Sequence, residues 1–175
     1  MFVHHFLDDC SQEITSLHGQ FATPNYPAVY PANLKCKWNI SVPMGYHLML
    51  NFTQFQVEWA DDCEYDYVVV KSKNGTFGRY CGQRNEVEEP QSAAAAPKDP
   101  LFIYDSRLEV DFHTDHSNEN EVHGFEAHFA AIDIDECSFD NGGCSHFCHN
   151  FIGGYYCSCK MGYRMSRDKK SCIGL

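Results

Sequence analysis

Ten cysteines and a few oxygen donors carry most of the chemistry open to this 175-residue sequence. Cys10, Cys36, Cys63 and Cys81 are widely spaced, whereas Cys137, Cys144, Cys148, Cys157, Cys159 and Cys172 crowd the end of the chain. An even number of thiols at this density points to an oxidising compartment, where they become cross-links. Zinc is the competing use, because CSHFCH offers Cys144, Cys148, His146 and His149. A structural zinc site usually takes four ligands in two tight pairs, and the tail does not hold two such pairs. Redox exchange would need Cys-x-x-Cys at a helix start, which is missing. A stretch of about forty residues cannot bury enough apolar surface to fold unaided, so the tail reads as a disulfide scaffold.

The oxygen donors point to a different ligand. Asp133, Asp135 and Glu136 stand just before Cys137, and Asn150 lies shortly after Cys148. Calcium is a hard cation that takes six to eight oxygens from carboxylates, amides and carbonyls. Asp133, Glu136 and Asn150, with nearby backbone oxygens, can supply such a set; the alternative is a solvated acidic linker. The formal net charge of −11 argues against nucleic acid or an anionic membrane as partner, and admits a cation or a basic protein surface. Catalytic patterns are missing. His113, His116, His123 and His128 lack the His-Glu-x-x-His spacing of a zinc hydrolase, and no Gly-x-Ser-x-Gly elbow is present. Three acceptor triplets for N-glycosylation begin at Asn39, Asn51 and Asn74, in keeping with secretion. No apolar run approaches the roughly 20 residues of a membrane span. The start, MFVHHFLDD, lacks the basic region, apolar run and cleavage site of a secretory leader. For a secreted chain, Met1 therefore reads as belonging to a trimmed chain or an incomplete gene model.

The elements that must position these groups are strands. In YHLMLNFT, RLEVDFHT and HGFEAHFA, apolar residues alternate with polar ones: Leu48, Leu50 and Phe52; Leu108, Val110 and Phe112; Phe125, Ala127 and Phe129. Period two predicts strands with one buried face, and it turns His113 and His128 toward solvent. DYVVVK is a continuous apolar run and predicts a central strand. Turn-rich pieces such as TPNYPAVYPAN, VPMGY and KNGTFG separate the strands, so the first part reads as an antiparallel β-sandwich. VEEPQSAAAAPKDP reads as an exposed loop with at most one helical turn, because Pro90, Pro97 and Pro100 hem in its alanines. The expected division is an extension over residues 1–9, a sandwich over 10–131 and a small disulfide-rich module over 132–175.

The tail spacing, with GGYYCSCKMGY, resembles the epidermal growth factor (EGF) module, and with DIDEC it resembles the calcium-binding form. That resemblance implies the pairings Cys137–Cys148, Cys144–Cys157 and Cys159–Cys172. It implies calcium ligands at Asp133, Glu136 and Asn150 and at the carbonyls of Ile134, Phe151 and Gly154, β-hydroxylation of Asn150, and a calcium-stiffened joint. The first part resembles a CUB domain through GQFATPNYPAVYPAN, CKWNISVPMGYHLMLNFTQF, CEYDYVVV and GRYCG. This implies Cys10–Cys36 and Cys63–Cys81 bridges and a core role for Trp38 and most other aromatics. Calcium-binding members imply a second ion at Glu58, Asp66, Asp115, Ser117 and Asn118. Tyr65 stands beside this site, where a partner lysine would dock on Glu58, Asp66, Asp115 and Ser117.

The order of the two modules, with FHTDHSNE and GFEAHFAAIDIDEC at their joint, is similar to the amino-terminal region of the complement-initiating proteases. These are the r and s subcomponents of complement's first component and the mannose-binding-lectin-associated serine proteases. The resemblance implies a secreted, non-catalytic region that binds two calcium ions. It would form a homodimer, or pair with a related protease chain, with Tyr155 as an anchor. It would bind lysines on the collagen-like stems of lectins or ficolin-type recognition proteins. Two departures open alternatives. The first CUB of that family commonly lacks the Cys10–Cys36 bridge, and DNGGC also resembles the EGF modules of tolloid-type procollagen proteinases. A substrate-binding region of a tolloid-like protein, or a stand-alone regulator competing with the proteases, are the other readings.

Overall fold

The computed structural model describes residues 10–83, 96–118 and 121–175. The extension over 1–9 and most of the alanine-bearing loop lie outside that range. The strands are β1 (Gln12–Ile14), β2 (His18–Ala22), β3 (Lys35–Ser41), β4 (Tyr46–Val57), β5 (Tyr67–Ser72), β6 (Gly75–Tyr80), β7 (Gly82–Gln83), β8 (Leu101–Ile103), β9 (Arg107–His113) and β10 (Gly124–Asp133). The tail adds β11 (Phe147–Phe151), β12 (Gly154–Ser158), β13 (Tyr163–Met165) and β14 (Cys172–Gly174). The chain divides into two compact units, Met1–Val42 with Leu48–Ala131, and Pro43–His47 with Ile132–Leu175.

Unit one is built on two sheets, ordered β1-β3-β9-β5-β6 and β2-β10-β4-β7, with β8 also paired to β4. The alternating residues decide what lies inside. Trp38 and Ile40 of β3, Leu48, Leu50 and Phe52 of β4, Val68 and Val70 of β5, and Leu108, Val110 and Phe112 of β9 are all buried. Phe125 of β10 is fully buried at the centre of an aromatic cluster. The rings of Phe21, Trp38, Phe52, Phe55 and Phe112 have centroids 5.4–6.1 Å from it, mostly edge to face. Such geometry adds about 0.5–1.5 kcal/mol per pair beyond burial.

Two details differ from a simple antiparallel reading. β1 runs parallel to β3, with Gln12 opposite Trp38, because the chain crosses to the other sheet as β2 before it returns. The run Val68-Val69-Val70 lies on an interior strand of its sheet, yet it is buried on one face only. Val69 shares the outward face with Lys71, which pairs with Glu109 at 2.7 Å and Asp111 at 2.6 Å. Lys37 reaches the same two carboxylates at 3.1 and 3.5 Å. The Lys71 hydrogen bond holds the Glu109 carboxyl below its usual range.

Unit two has little apolar interior; Cys144 is its buried side chain in the core. Cross-links Cys137–Cys148, Cys144–Cys157 and Cys159–Cys172 hold it, and each closes a loop of 11 to 13 residues. Loops of this size are worth about 3 kcal/mol each in a chain-entropy account. The Pro43–His47 turn belongs to the same unit, and the Ile134 N–H donates to the Gly45 carbonyl at 3.0 Å. Gly45 has φ +95°, and a Cβ there would stand 2.6 Å from the Gly153 carbonyl oxygen, so the position excludes side chains.

Candidate functional site

Three carboxylates distant in sequence meet in unit one. Glu58 follows the end of β4, Asp66 precedes β5, and Asp115 follows β9. Antiparallel pairing of β5 with β9 sets Tyr67 opposite His113, which brings the two flanking loops to the same edge of the sheet. A Cys63–Cys81 bridge pins the loop between Glu58 and Asp66 to the end of β6. One oxygen from each of Glu58, Asp66 and Asp115 lies within 4.8 Å of the others. Glu58 is 7% exposed and Asp66 fully buried, so two of the three charges have little water to stabilise them.

A tyrosine organises this trio. The Tyr30 hydroxyl donates to Asp66 Oδ2 at 2.7 Å and accepts the Glu58 N–H at 3.0 Å. Its ring meets Phe112 edge to face at 5.2 Å, so the aromatic core itself fixes the hydroxyl. The Asp115 N–H donates to the other Asp66 oxygen at 2.7 Å. Burial raises the Asp66 pKa, while the bonds from Asp115 and Tyr30 oppose that shift. Burial likewise raises the Tyr30 pKa, so its hydroxyl keeps its proton and donates. Nothing in the sequence pointed to Tyr30. It lies 36 residues from Asp66, in a proline-flanked stretch that reads as a turn.

The remaining candidates of this set bond in and around the Asp115 loop. Ser117 donates its N–H to Asp115 Oδ1 at 2.9 Å, which shapes the loop. The Asn118 amide closes that loop: Oδ1 accepts from the Val122 N–H and Nδ2 donates to the Val122 carbonyl, both at 3.2 Å. Tyr65 is 51% exposed beside Asp66. His116 approaches Asp115 at 3.4 Å from solvent. His113 packs on Tyr67, His123 meets the Pro27 carbonyl, and His128 faces Glu126, so the four histidines have separate partners.

Unit two carries the second set. Asp133 ends β10; its Oδ2 accepts from Asn150 Nδ2 at 2.9 Å and its Oδ1 from the Gly153 N–H at 2.6 Å. Asn150 and Phe151 end β11, and Phe151 pairs with Gly154 across the hairpin. Ile134 lends its carbonyl to the Glu136 N–H at 3.1 Å. Among the described residues Glu136 Oε2 is buried without a hydrogen-bond partner, a cost that a bound cation would remove. Both donor sets are all-oxygen, which suits a hard ion such as calcium. His146, Cys159 and Cys172 also converge, but both thiols are spent in a disulfide.

Tyr155 is half-buried, with Lys170 5.2 Å from its ring centre and Gly142 close enough that a Cβ there would meet the ring edge at 2.8 Å. Its neighbour Tyr156 is 57% exposed and stacks on His149 at 4.7 Å. Asn39 lies on β3 and donates to Glu13, Asn51 lies within β4, and Asn74 sits in the β5–β6 turn. Cys10–Cys36 joins the start of the described chain to β3.

Comparison with known proteins gives a consistent result. Residues 10–129 match the CUB domain family, and residues 137–172 match the family described as Coagulation Factor Xa inhibitory site. The Complement C1s subcomponent of Sus scrofa is 40% identical over 158 residues, 90% of this chain and 22% of that protein. The chain thus spans about a fifth of that relative's length. The CUB1-EGF-CUB2 domains of rat MASP-1 match with a TM-score of 0.82 at 37% identity, covering 93% of this chain and 58% of that one. A MASP-1 CUB2 domain bound to Ca2+ shares the fold, with a TM-score of 0.57 at 24% identity, over 67% of this chain and 96% of that one.

Proposed function

From the premise that the chain belongs to the CUB domain family and is homologous to the CUB-EGF region of C1s and MASP-1, we propose that it is a secreted, calcium-dependent interaction region of a complement-type protease. The chain does no chemistry of its own in this reading. Its partners are a second copy or a related protease chain, and the lysines of collagen-like stems on recognition lectins.

The observation that carries the proposal is the Glu58–Asp66–Asp115 trio. Three ionised carboxylates this close repel one another, and burial of Asp66 sharpens the cost. A calcium ion supplies two positive charges, leaving about one net negative charge for an ammonium group. Tyr65 offers an exposed aromatic flank to the lysine stem. Asp133, Glu136 and Asn150 hold the second ion, with backbone oxygens of Ile134, Phe151 and Gly154. The orphaned Glu136 oxygen supports that reading.

Self-association uses the tail. Aromatic side chains dominate interface energetics, and Tyr156 presents more surface for that role than Tyr155, which is engaged with Gly142 and Lys170.

The test is surface binding to a lysine-bearing collagen-like stem. Chelator, high salt and Asp66→Ala each reduce binding while the five disulfides stay intact. Exposed charge pairs weaken with salt, and a dimer engaging several stems gains by avidity. Undiminished binding by Asp66→Ala in calcium would refute the assignment of this site.

A further inference from the structure

Of the three acceptor triplets, one lies where a glycan fits the folded chain with no loss. Asn74 is exposed in the two-residue turn between β5 and β6, where Ser72 pairs with Gly75. Its N–H donates to Ser72 Oγ at 3.2 Å, which fixes the turn, and its side-chain amide has no partner among the described residues. A Cβ on Gly75 would meet nothing within 4 Å, and Thr76, the third residue of the triplet, is exposed. Asn51 contrasts with this. It is half-buried inside the twelve-residue strand β4, and the hydroxyl of its triplet partner Thr53 is committed to Glu126 Oε2 at 2.8 Å. Asn39 is also on a strand, and its amide nitrogen is committed to Glu13 at 2.6 Å.

We infer that Asn74 carries an N-linked glycan, the chain's modification at the far end of the sandwich from the acidic trio. Asn74 Nδ2 forms a bond to the anomeric carbon of a lipid-pyrophosphate oligosaccharide. The bond from that carbon to the pyrophosphate oxygen breaks, the lipid pyrophosphate leaves with the electron pair, and Nδ2 gives up one proton. No electron transfer is involved.

Position gives the glycan its consequence. β5 starts directly after Asp66 and runs to the Asn74 turn, so six residues of extended chain separate the two. At about 3.3 Å per residue that is roughly 20 Å. β9 runs antiparallel, with His113 opposite Tyr67 and Glu109 opposite Lys71, so Asp115 lies at the Asp66 end and Arg107 at the Asn74 end. A bulky, hydrated glycan at Asn74 covers the Arg107 end of this sheet and leaves the acidic end bare. A partner of this sheet is thereby confined to its acidic end.

The experiment is expression of the whole chain behind a cleavable secretory leader in mammalian cells, followed by glycosidase release in heavy-oxygen water and peptide mapping. The expected result is a heavy-labelled aspartate at position 74. Asn74→Gln and Thr76→Ala each lose one glycan step in electrophoretic mobility, while Thr76→Ser keeps it. Quantitative recovery of the unmodified Asn74 peptide from the secreted wild-type chain overturns the inference, and that measurement needs no variant to fold. Enzymatic deglycosylation leaves calcium titration at the acidic end unchanged; a change there overturns the placement of the glycan away from it.

Discussion

Replacing Asp66 with asparagine separates charge from shape at the acidic site. The amide oxygen still accepts from the Asp115 N–H. The bond to Tyr30 must reverse, with the amide nitrogen donating to a hydroxyl that already accepts the Glu58 N–H and whose own proton loses its acceptor. The charge is removed at the cost of about one hydrogen bond, about 1 kcal/mol. At 4.8 Å and an effective dielectric of about 20, each ionised pair repels by about 3.5 kcal/mol, and Asp66 takes part in two of the three pairs. Proton uptake limits the cost, because a raised Asp66 pKa lets the ion-free site neutralise itself. A net relief of about 1–3 kcal/mol remains, so in chelator Asp66→Asn melts a few degrees above wild type. Calcium reverses the order. At a hundredfold excess over Kd, a site gains about 2.7 kcal/mol from its ligand, and the variant forfeits most of that. Thermal unfolding of both proteins, with calcium and with chelator, checks the crossing, and titration calorimetry counts two sites in wild type and one in the variant. Equal calcium-induced gains in the two proteins, or a variant less stable in chelator, would refute the reasoning.

Tyr30→Phe removes the hydroxyl that donates to Asp66 and leaves the Glu58 N–H without its acceptor. Denaturant titration should show a loss of about 1–3 kcal/mol, and calorimetry a weaker acidic-end calcium site. Without calcium, pH acts on Asp66 through its raised pKa. A raised carboxyl pKa stabilises the fold below the ordinary aspartate range, and this contribution is lost as pH rises through the raised value. Glu109, held low by Lys71, works oppositely: its contribution is present above its unfolded pKa and is lost as pH falls through its folded value. Melting temperatures with and without calcium should therefore diverge as pH climbs from acid to neutral, because the ion replaces the proton on Asp66. Gly45→Val places a side chain against the Gly153 carbonyl at a positive φ. It should break the Ile134–Gly45 hydrogen bond, seen as faster amide exchange at Ile134, with weaker calcium binding in unit two.

The alternation of Leu48, Leu50 and Phe52, of Leu108, Val110 and Phe112, and of Phe125, Ala127 and Phe129 was readable directly, because strand geometry has a period of two. The same residues are buried in the sandwich. The disulfide character of the tail was equally legible, since a segment so short must be stapled. The family resemblance rested on several ordered motifs, and both the CUB match and the complement relatives agree with it.

Other features depended on long-range geometry. The cooperation of Tyr30 with Asp66 and Glu58 depends on strand pairing and on Phe112 behind the ring, neither of which leaves a local pattern. Asn118 likewise acts across the chain: its amide closes the loop to Val122 and donates to the Tyr30 carbonyl. The membership of Pro43–His47 in the tail unit could not be read from sequence order, because the partner glycines Gly45 and Gly153 lie far apart in the chain. Local periodicity and spacing report what each segment prefers. Which carboxylates share one electrostatic field is set by how the strands pair, and only the folded chain decides that.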